Sequence, residues 1–450
     1  MKIVIAGGGK VGKELCNELS NEGNDIILIE QDPKNLERIM NKYDIMGLVG
    51  NGADYDNLVE SNVQECDVFI SVTPEDEINL IAAIIAKKLG ATYTIARVRN
   101  PEYTGHMDFV RESLGVSMMI NPELEAAKDI SNVIRFPQAL SVEQFANGRV
   151  SIVEVNIAPK SQLVGLSLFQ FRQQFGDVLI CAVTREKNTF VPTGQTVLEE
   201  EDRIIVTGAW DDLTQFYRKA GYKEEKLRSA FIVGGGRITY YLIEMLNKLD
   251  IEIKVIENNQ EKAEILSEKF PRAVIIEGDG TDQEFLNEER IDQYDTVVSL
   301  TGVDEENILI SLYASALGIK KIITKVSRTE LIKILENASL QSIITPKNLI
   351  ADNIIRFVRS LKKTQASNME SLYRIADNQV EVAQFQVKKD SQVLHTPLKD
   401  LKLKNDLLVA YIIRGERLIF PSGNDEIQSG DHIIVVSMNN KMDDIDDMLA

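Results

Sequence analysis

Two short glycine-rich loops hold the residues best suited to chemistry. Gly7-Gly8-Gly9-Lys10-Val11-Gly12 fits the spacing G-x-G-x-x-G, and Gly234-Gly235-Gly236-Arg237-Ile238-Thr239 repeats it with threonine in the last position. Each loop follows a short apolar run and opens an amphipathic helical stretch. In that setting the first glycine permits a tight turn, the second lets the backbone approach a diphosphate, and the third lets the helix pack closely on its sheet. The free N–H groups at the helix start then attract anionic oxygens. Glu30 and Glu257 each lie 23 positions after the first glycine of their loop, at the end of the next apolar run. A carboxylate there accepts hydrogen bonds from ribose hydroxyls and repels a 2′-phosphate. The expected ligand is therefore NAD(H) or an adenine nucleotide, and NADP(H) is disfavoured. Thr239 predicts a shifted helix in the second copy. Asn51 and Asp279 follow the third strand of each copy, Thr73-Pro74 and Thr301 the fourth, and Arg97 and Lys325 end the fifth. These positions face the crevice of a parallel sheet, and Arg97, Lys325, Lys10 and Arg237 are candidate phosphate contacts.

The elements that position these groups occur twice. VIAGGGKVGKELCNEL and FIVGGGRITYYLIEML are offset by 227 residues, GNGAD and GDGTD by 228, DVFISVTPEDEIN and DTVVSLTGVDEEN by 228, and VPTGQTVLEEEDRIIV and FPSGNDEIQSGDHIIV by 229. A near-constant offset across several distinct phrases is the mark of a duplicated unit. Within the first copy, Ile3–Gly7, Asp25–Glu30, Ile45–Gly50, Asp67–Val72 and Thr92–Val98 read as strands separated by helical stretches. Apolar strands alternating with helices predict a parallel, doubly wound α/β sheet.

After Pro122 comes a helical stretch stopped by Pro137, then shorter β-rich runs that read as a smaller lobe with hairpins. The expected architecture is large lobe, small lobe, large lobe, small lobe, with boundaries at 1–123, 124–225, 228–347 and 348–450. The charged run 221–228 reads as the link between halves. The crossover stretches Asn121–Phe136 and Thr345–Leu361 are expected to carry dimer contacts on their apolar faces. The C-terminal KMDDIDDMLA reads as an acidic helical tail.

The chain has 450 residues, 44% hydrophobic and 26% charged, and a formal net charge of −19. That balance opposes general binding to nucleic acid or anionic lipid, because both are polyanions. No apolar run approaches the ~20 residues of a membrane span. Three cysteines and three histidines are scattered without metal-ligand spacing, so neither a metal site nor a nucleophile–histidine pair is expected. Glu199-Glu200-Glu201-Asp202 reads as a solvated acidic face rather than an ion site.

The order of these phrases, twice over, resembles tandem RCK (regulator of potassium conductance) domains, as found in the regulatory proteins of Trk potassium-uptake systems. The resemblance implies a non-enzymatic subunit on the cytoplasmic face of a separate membrane potassium-translocating protein of TrkH or TrkG type. It implies a tetrameric ring that senses NAD(H), ATP or ADP and gates the transporter. It also implies phosphate-loop roles for Gly7, Gly9 and Gly12, a ribose acceptor at Glu30, a ligand-facing turn at Thr73-Pro74 and a basic phosphate contact at Arg97. In the second copy Gly234, Gly236 and Glu257 match, while Thr239 departs. Two readings compete with it: a gating subunit of another cation channel or antiporter, and an NAD-dependent oxidoreductase, for which the small lobes offer no recognisable acid–base group.

Overall fold

The structure, a computed structural model, describes the chain except residues 105–106, 138, 140, 146–148, 187, 223–226, 329–330, 332–339, 341, 362–368, 376–378, 439–441 and 443. The first sheet comprises β1 (Lys2–Ala6), β2 (Asp25–Glu30), β3 (Met46–Val49), β4 (Val68–Ser71), β5 (Tyr93–Arg97) and β6 (Met118–Ile120). Its order is β3-β2-β1-β4-β5-β6 and every pair is parallel. The chain reverses its direction of winding between β1 and β4, which places the ligand crevice at their C-terminal ends. The strands are apolar on both faces because helices cover both. β1 reads KIVIA with its last four residues buried, and all four residues of β4 are buried.

A second, antiparallel sheet is built from β7 (Ser141–Phe145), β8 (Val150–Asn156), β9 (Leu179–Arg185), β10 (Asn188–Phe190) and β11 (Arg203–Gly208), in the order β10-β9-β11-β8-β7. The third sheet repeats the first with β12 (Ser229–Val233), β13 (Glu252–Glu257), β14 (Val274–Glu277), β15 (Thr296–Ser299), β16 (Lys321–Lys325) and β17 (Ser342–Ile344). The fourth repeats the second with β18 (Met369–Ile375), β19 (Val380–Gln386), β20 (Leu407–Arg414), β21 (Arg417–Ile419) and β22 (His432–Met438).

The chain folds as two compact units that cross the sequence halves. One holds residues 1–131 with 227–355, and the other 132–226 with 356–450. The two parallel sheets thus share one unit and the two antiparallel sheets the other. In the latter, inward residues of both sheets form one core: Val150, Ile152, Cys181, Ala182 and Ile205 meet Val380, Val382, Tyr411, Ile434 and Val436. Tyr411 Oη donates to Asp177 O at 2.7 Å, and the Arg172 guanidinium lies 4.7 Å from the Phe420 ring centroid.

Three expectations need correction. The strands β6, β7, β17 and β18 were not foreseen; β6 and β17 span three residues each, too few to show a period. The crossover helices Pro122–Arg135 and Pro346–Leu361 form as expected, and Ala126, Ala127, Ile130, Ile350, Ala351 and Ile354 on them are buried within this chain. The tail is no continuous helix: a 3₁₀ turn, Ile445–Met448, is capped by Asp444 and Asp447 and buries Ile445 and Met448; residues 441 and 443 lie outside the described set. Asp202 is not solvated. It is 1% exposed and takes two hydrogen bonds of 2.8 Å from Arg185, an arrangement repeated by Asp431 and Arg414. The run 221–228 falls partly on undescribed residues, and Tyr222 before them is anchored by a 2.8 Å bond from its hydroxyl to Asn156 O.

Candidate functional site

Each glycine of the first loop meets a physical demand. Gly7 has φ +104, in the left-handed region, and a Cβ there would sit 3.0 Å from Thr73 N. Gly9 caps the Lys10–Asn21 helix in extended conformation, with open space where a Cβ would be. A Cβ on Gly12 would stand 1.9 Å from Gly7 O, so the third position is closed to any side chain while the loop keeps this path. Gly52, in the GNGAD phrase, passes over the end of β1; its Cβ would meet Ala6 Cβ at 2.4 Å.

A cavity of about 750 Å³ opens at the C-terminal ends of the strands. It is lined by Gly7, Gly8, Gly9, Lys10, Val11, Glu30, Asn51, Thr73, Pro74 and Arg97, so ten of the eleven residues expected in the first copy surround one space. Gly12 lies behind the loop, as its packing role requires. Asp32, Asn35, Gly52, Ile78 and Arg99 line the same cavity and were not anticipated. They carry no motif of their own; Arg99 stands only two residues beyond Arg97.

The carboxylate of Glu30 is held against the loop. Oε2 accepts from Gly8 N at 2.5 Å and Oε1 from Asp32 N at 3.0 Å. Each oxygen keeps a further lone pair for a ribose hydroxyl. Glu257 repeats this, accepting from Gly235 N at 2.5 Å and Asn259 N at 2.9 Å, and it is more deeply buried. Asn51 and Asp279 hold their own turns: Asn51 accepts from Ala53 N at 3.0 Å, and Asp279 from Thr281 N at 2.9 Å and Thr281 Oγ1 at 2.7 Å. The Thr281 hydroxyl keeps the Asp279 carboxyl below its usual range.

Arg97 does more than face the cavity. Its guanidinium donates to Thr73 O, while Nε is buried with no hydrogen-bond partner. Burial, with the neighbouring Arg99, pushes its pKa down to about 10. Lys325 copies the clamp, donating to Thr301 O at 2.5 Å. The Thr73-Pro74 turn is fixed further by a buried asparagine that sequence reasoning missed. Asn79 Oδ1 accepts from Thr73 N at 2.7 Å, Ser71 Oγ at 2.9 Å and Thr73 Oγ1 at 2.8 Å; its Nδ2 donates to Thr73 O and Arg97 O. Asn307 does the same for Thr301 and Lys325. Both asparagines occupy one position of the repeated DEIN and DEEN phrases.

In the second loop Gly234 has φ +103, as Gly7 does, and Gly236 caps the Arg237–Asn247 helix. Thr239 takes the third-glycine position fully buried, and its hydroxyl donates to Gly234 O. The side chain that Gly12 excludes is thus tolerated here, its hydroxyl bonded to the very carbonyl it would strike. Ile238 is buried and Arg237 exposed. Among the described residues no group of three or more His, Cys, Asp or Glu side chains is placed to hold a metal ion, and no helix is long and apolar enough to cross a membrane.

Comparison with known proteins agrees with this fold. The family model described as TrkA-N domain matches residues 3–122 and 230–346, and the TrkA-C domain model matches 152–221 and 382–450. The Trk system potassium uptake protein TrkA homolog of Archaeoglobus fulgidus is 31% identical over 448 residues, covering all of both chains. The Trk system potassium uptake protein TrkA of Vibrio alginolyticus is 30% identical over 446 residues, covering 98% of this chain and 96% of its own. Among solved structures, the GsuK RCK domain aligns with a TM-score of 0.63 at 17% identity, over 97% of this chain and 92% of that one. The GsuK channel bound to NAD aligns with a TM-score of 0.64 at 17% identity, over 97% and 77%. At that identity the likeness establishes the fold.

Proposed function

The chain belongs to the TrkA family, and from that premise we propose that it is the nucleotide-sensing regulatory subunit of a Trk-type potassium-uptake system and not an enzyme. The observation that carries this reading is the cavity that gathers the glycine loop, Glu30, the Thr73-Pro74 turn and Arg97 around one space. Its chemistry suits an adenine nucleotide: N–H groups at a helix start for phosphates, a carboxylate for ribose and flanking cations. The names of the full-length relatives support potassium uptake as the process served. The NAD in one structural neighbour supports NAD(H) beside ATP and ADP as ligands.

The client in this reading is a membrane potassium-translocating subunit of TrkH or TrkG type. The protein works in the cytoplasm, on the inner face of the membrane, as a homo-oligomer, most simply a tetrameric ring. A ligand shifts such a ring only by as much as it binds one conformation better than the other. The second site is built from Gly234, Gly235, Gly236, Arg237, Ile238, Glu257, Asp279, Thr301 and Lys325, and the division at 1–123, 124–225, 228–347 and 348–450 separates nucleotide lobes from the rest. Calorimetric titration of the purified chain with NAD, NADH, ATP and ADP tests the reading. Saturable binding of at least one is expected, abolished in the first site by Gly9→Val. A folded chain that binds none overturns it, and failure to co-purify with a membrane protein overturns the assigned client.

A further inference from the structure

The first cavity is lined by residues of the first half, but one of them is held from behind by the second. Tyr241 lies in the helix that the second glycine loop opens, four residues after Arg237 and therefore on the same helix face. Its ring is 2% exposed. Its hydroxyl donates to the backbone carbonyl of Arg99 at 3.0 Å and accepts from Asn121 Nδ2 at 2.8 Å. Both partners belong to the first half, and both parallel sheets lie in the same compact unit. Arg99 lines the first cavity. Its side chain is held by Asp76, through Nε to Oδ1 at 3.3 Å, and by Pro74 O; its own N–H donates to Asp76 Oδ2 at 2.7 Å. Tyr241 supplies the fixed point on its carbonyl. Arg237, on the same face, stands close enough to act on the charges of Arg97 and Glu123.

We propose that Tyr241 is a positioning residue of the first nucleotide site, contributed by the second half: its hydroxyl fixes the Arg99 backbone so that the guanidinium stays at the phosphate side of the cavity. The position matching Tyr241 in the first half is Glu14, and the one matching Arg99 in the second is Ser327, so the tyrosine–arginine pair itself is not repeated. This rests on the nucleotide reading of the first cavity and adds what holds its cation in place.

The test is Tyr241→Phe in the full chain, titrated with ADP and with adenosine. Loss of one hydrogen bond to a charge-positioning backbone is expected to weaken ADP roughly three- to tenfold while adenosine changes little. In an Arg99→Gln background the Tyr241→Phe effect on ADP should vanish, since the two residues act in one chain. Asn121→Asp is the second variant. It keeps the acceptor that Leu124 N uses at 2.9 Å but offers the tyrosine proton a competing carboxylate, so it should weaken ADP in the same direction. Unchanged ADP affinity in Tyr241→Phe, or equal losses for ADP and adenosine, overturns the inference and leaves the nucleotide reading standing. A folded wild-type chain that binds neither ligand overturns both.

Discussion

At the scale of single residues, Glu30 carries two tasks. It buttresses the loop through Gly8 N–H and presents its remaining lone pairs to the cavity. Glu30→Ala is expected to weaken the nucleotide by ~1–3 kcal/mol, the range for a lost charge-assisted pair. Calorimetric titration checks it; unchanged affinity removes Glu30 from the site. Lys321 is a different kind of residue. It sits on β16 at 7% exposure, and burial pushes its pKa down to about 8. The folded value lies below the unfolded one, so between pH 8 and 10.5 the unfolded chain binds the extra proton. The stability cost of the charge is present in full below pH 8 and disappears as pH rises toward 10.5. Relative to Lys321→Met, the wild type should gain about 2 kcal/mol between pH 7.5 and 10. Denaturant unfolding of both proteins at the two pH values measures it, and parallel pH profiles would refute it.

At the scale of elements, the Thr73-Pro74 turn after β4 is not held by the strand. It is held by a side chain from the following helix, Asp76–Leu89. Asn79 closes three acceptor bonds and two donor bonds with Ser71, Thr73 and Arg97 while wholly buried. Asn79→Ala leaves several buried polar groups unmet, each at about 1–3 kcal/mol. The expected outcome is a loss of at least ~2 kcal/mol in unfolding free energy, with nucleotide affinity lowered because Thr73 and Arg97 both lose their anchor. Asn79→Asp restores the acceptor but not the donor and should fall between. A variant as stable as wild type would show that the turn is fixed by Arg97 alone. The threonine in the second loop illustrates the same scale. A residue type forbidden at Gly12 occupies position 239, where its hydroxyl bonds the facing carbonyl.

At the scale of the whole molecule, the duplication is used to cover surfaces. Lobes pair with their own kind, and the apolar faces of the two antiparallel sheets close on each other. Ile434, fully buried in that shared core, touches both halves' interest at once. Ile434→Ala should cost about 2–5 kcal/mol, as core truncations do. Hydrogen exchange should then show β11 and β22 losing protection together, since they share one core. Loss confined to β22 would mean that the two sheets are stable independently. The three cysteines are buried, and burial pushes the thiols of Cys16 and Cys66 up to about 12, which fits apolar packing and not reactivity.

The sequence by itself determined the duplication, the doubly wound sheets and most of the first cavity's lining. Those features rest on local rules: glycine where the backbone must turn or be approached, alternation of apolar strands with helices, an acid at a strand end. These rules leave their mark within a few tens of residues. Sequence reading missed Asn79, Asn307 and Arg99 because nothing in a polar residue's own neighbourhood says that it will be buried or face a cavity. It missed β6 and β17 because three residues have no period. Only the tertiary structure decided that like lobes pair across the halves and that Tyr241 reaches Arg99 across 142 positions. Such contacts depend on which apolar faces meet, and that is settled by packing between segments far apart in the chain, where no local pattern extends.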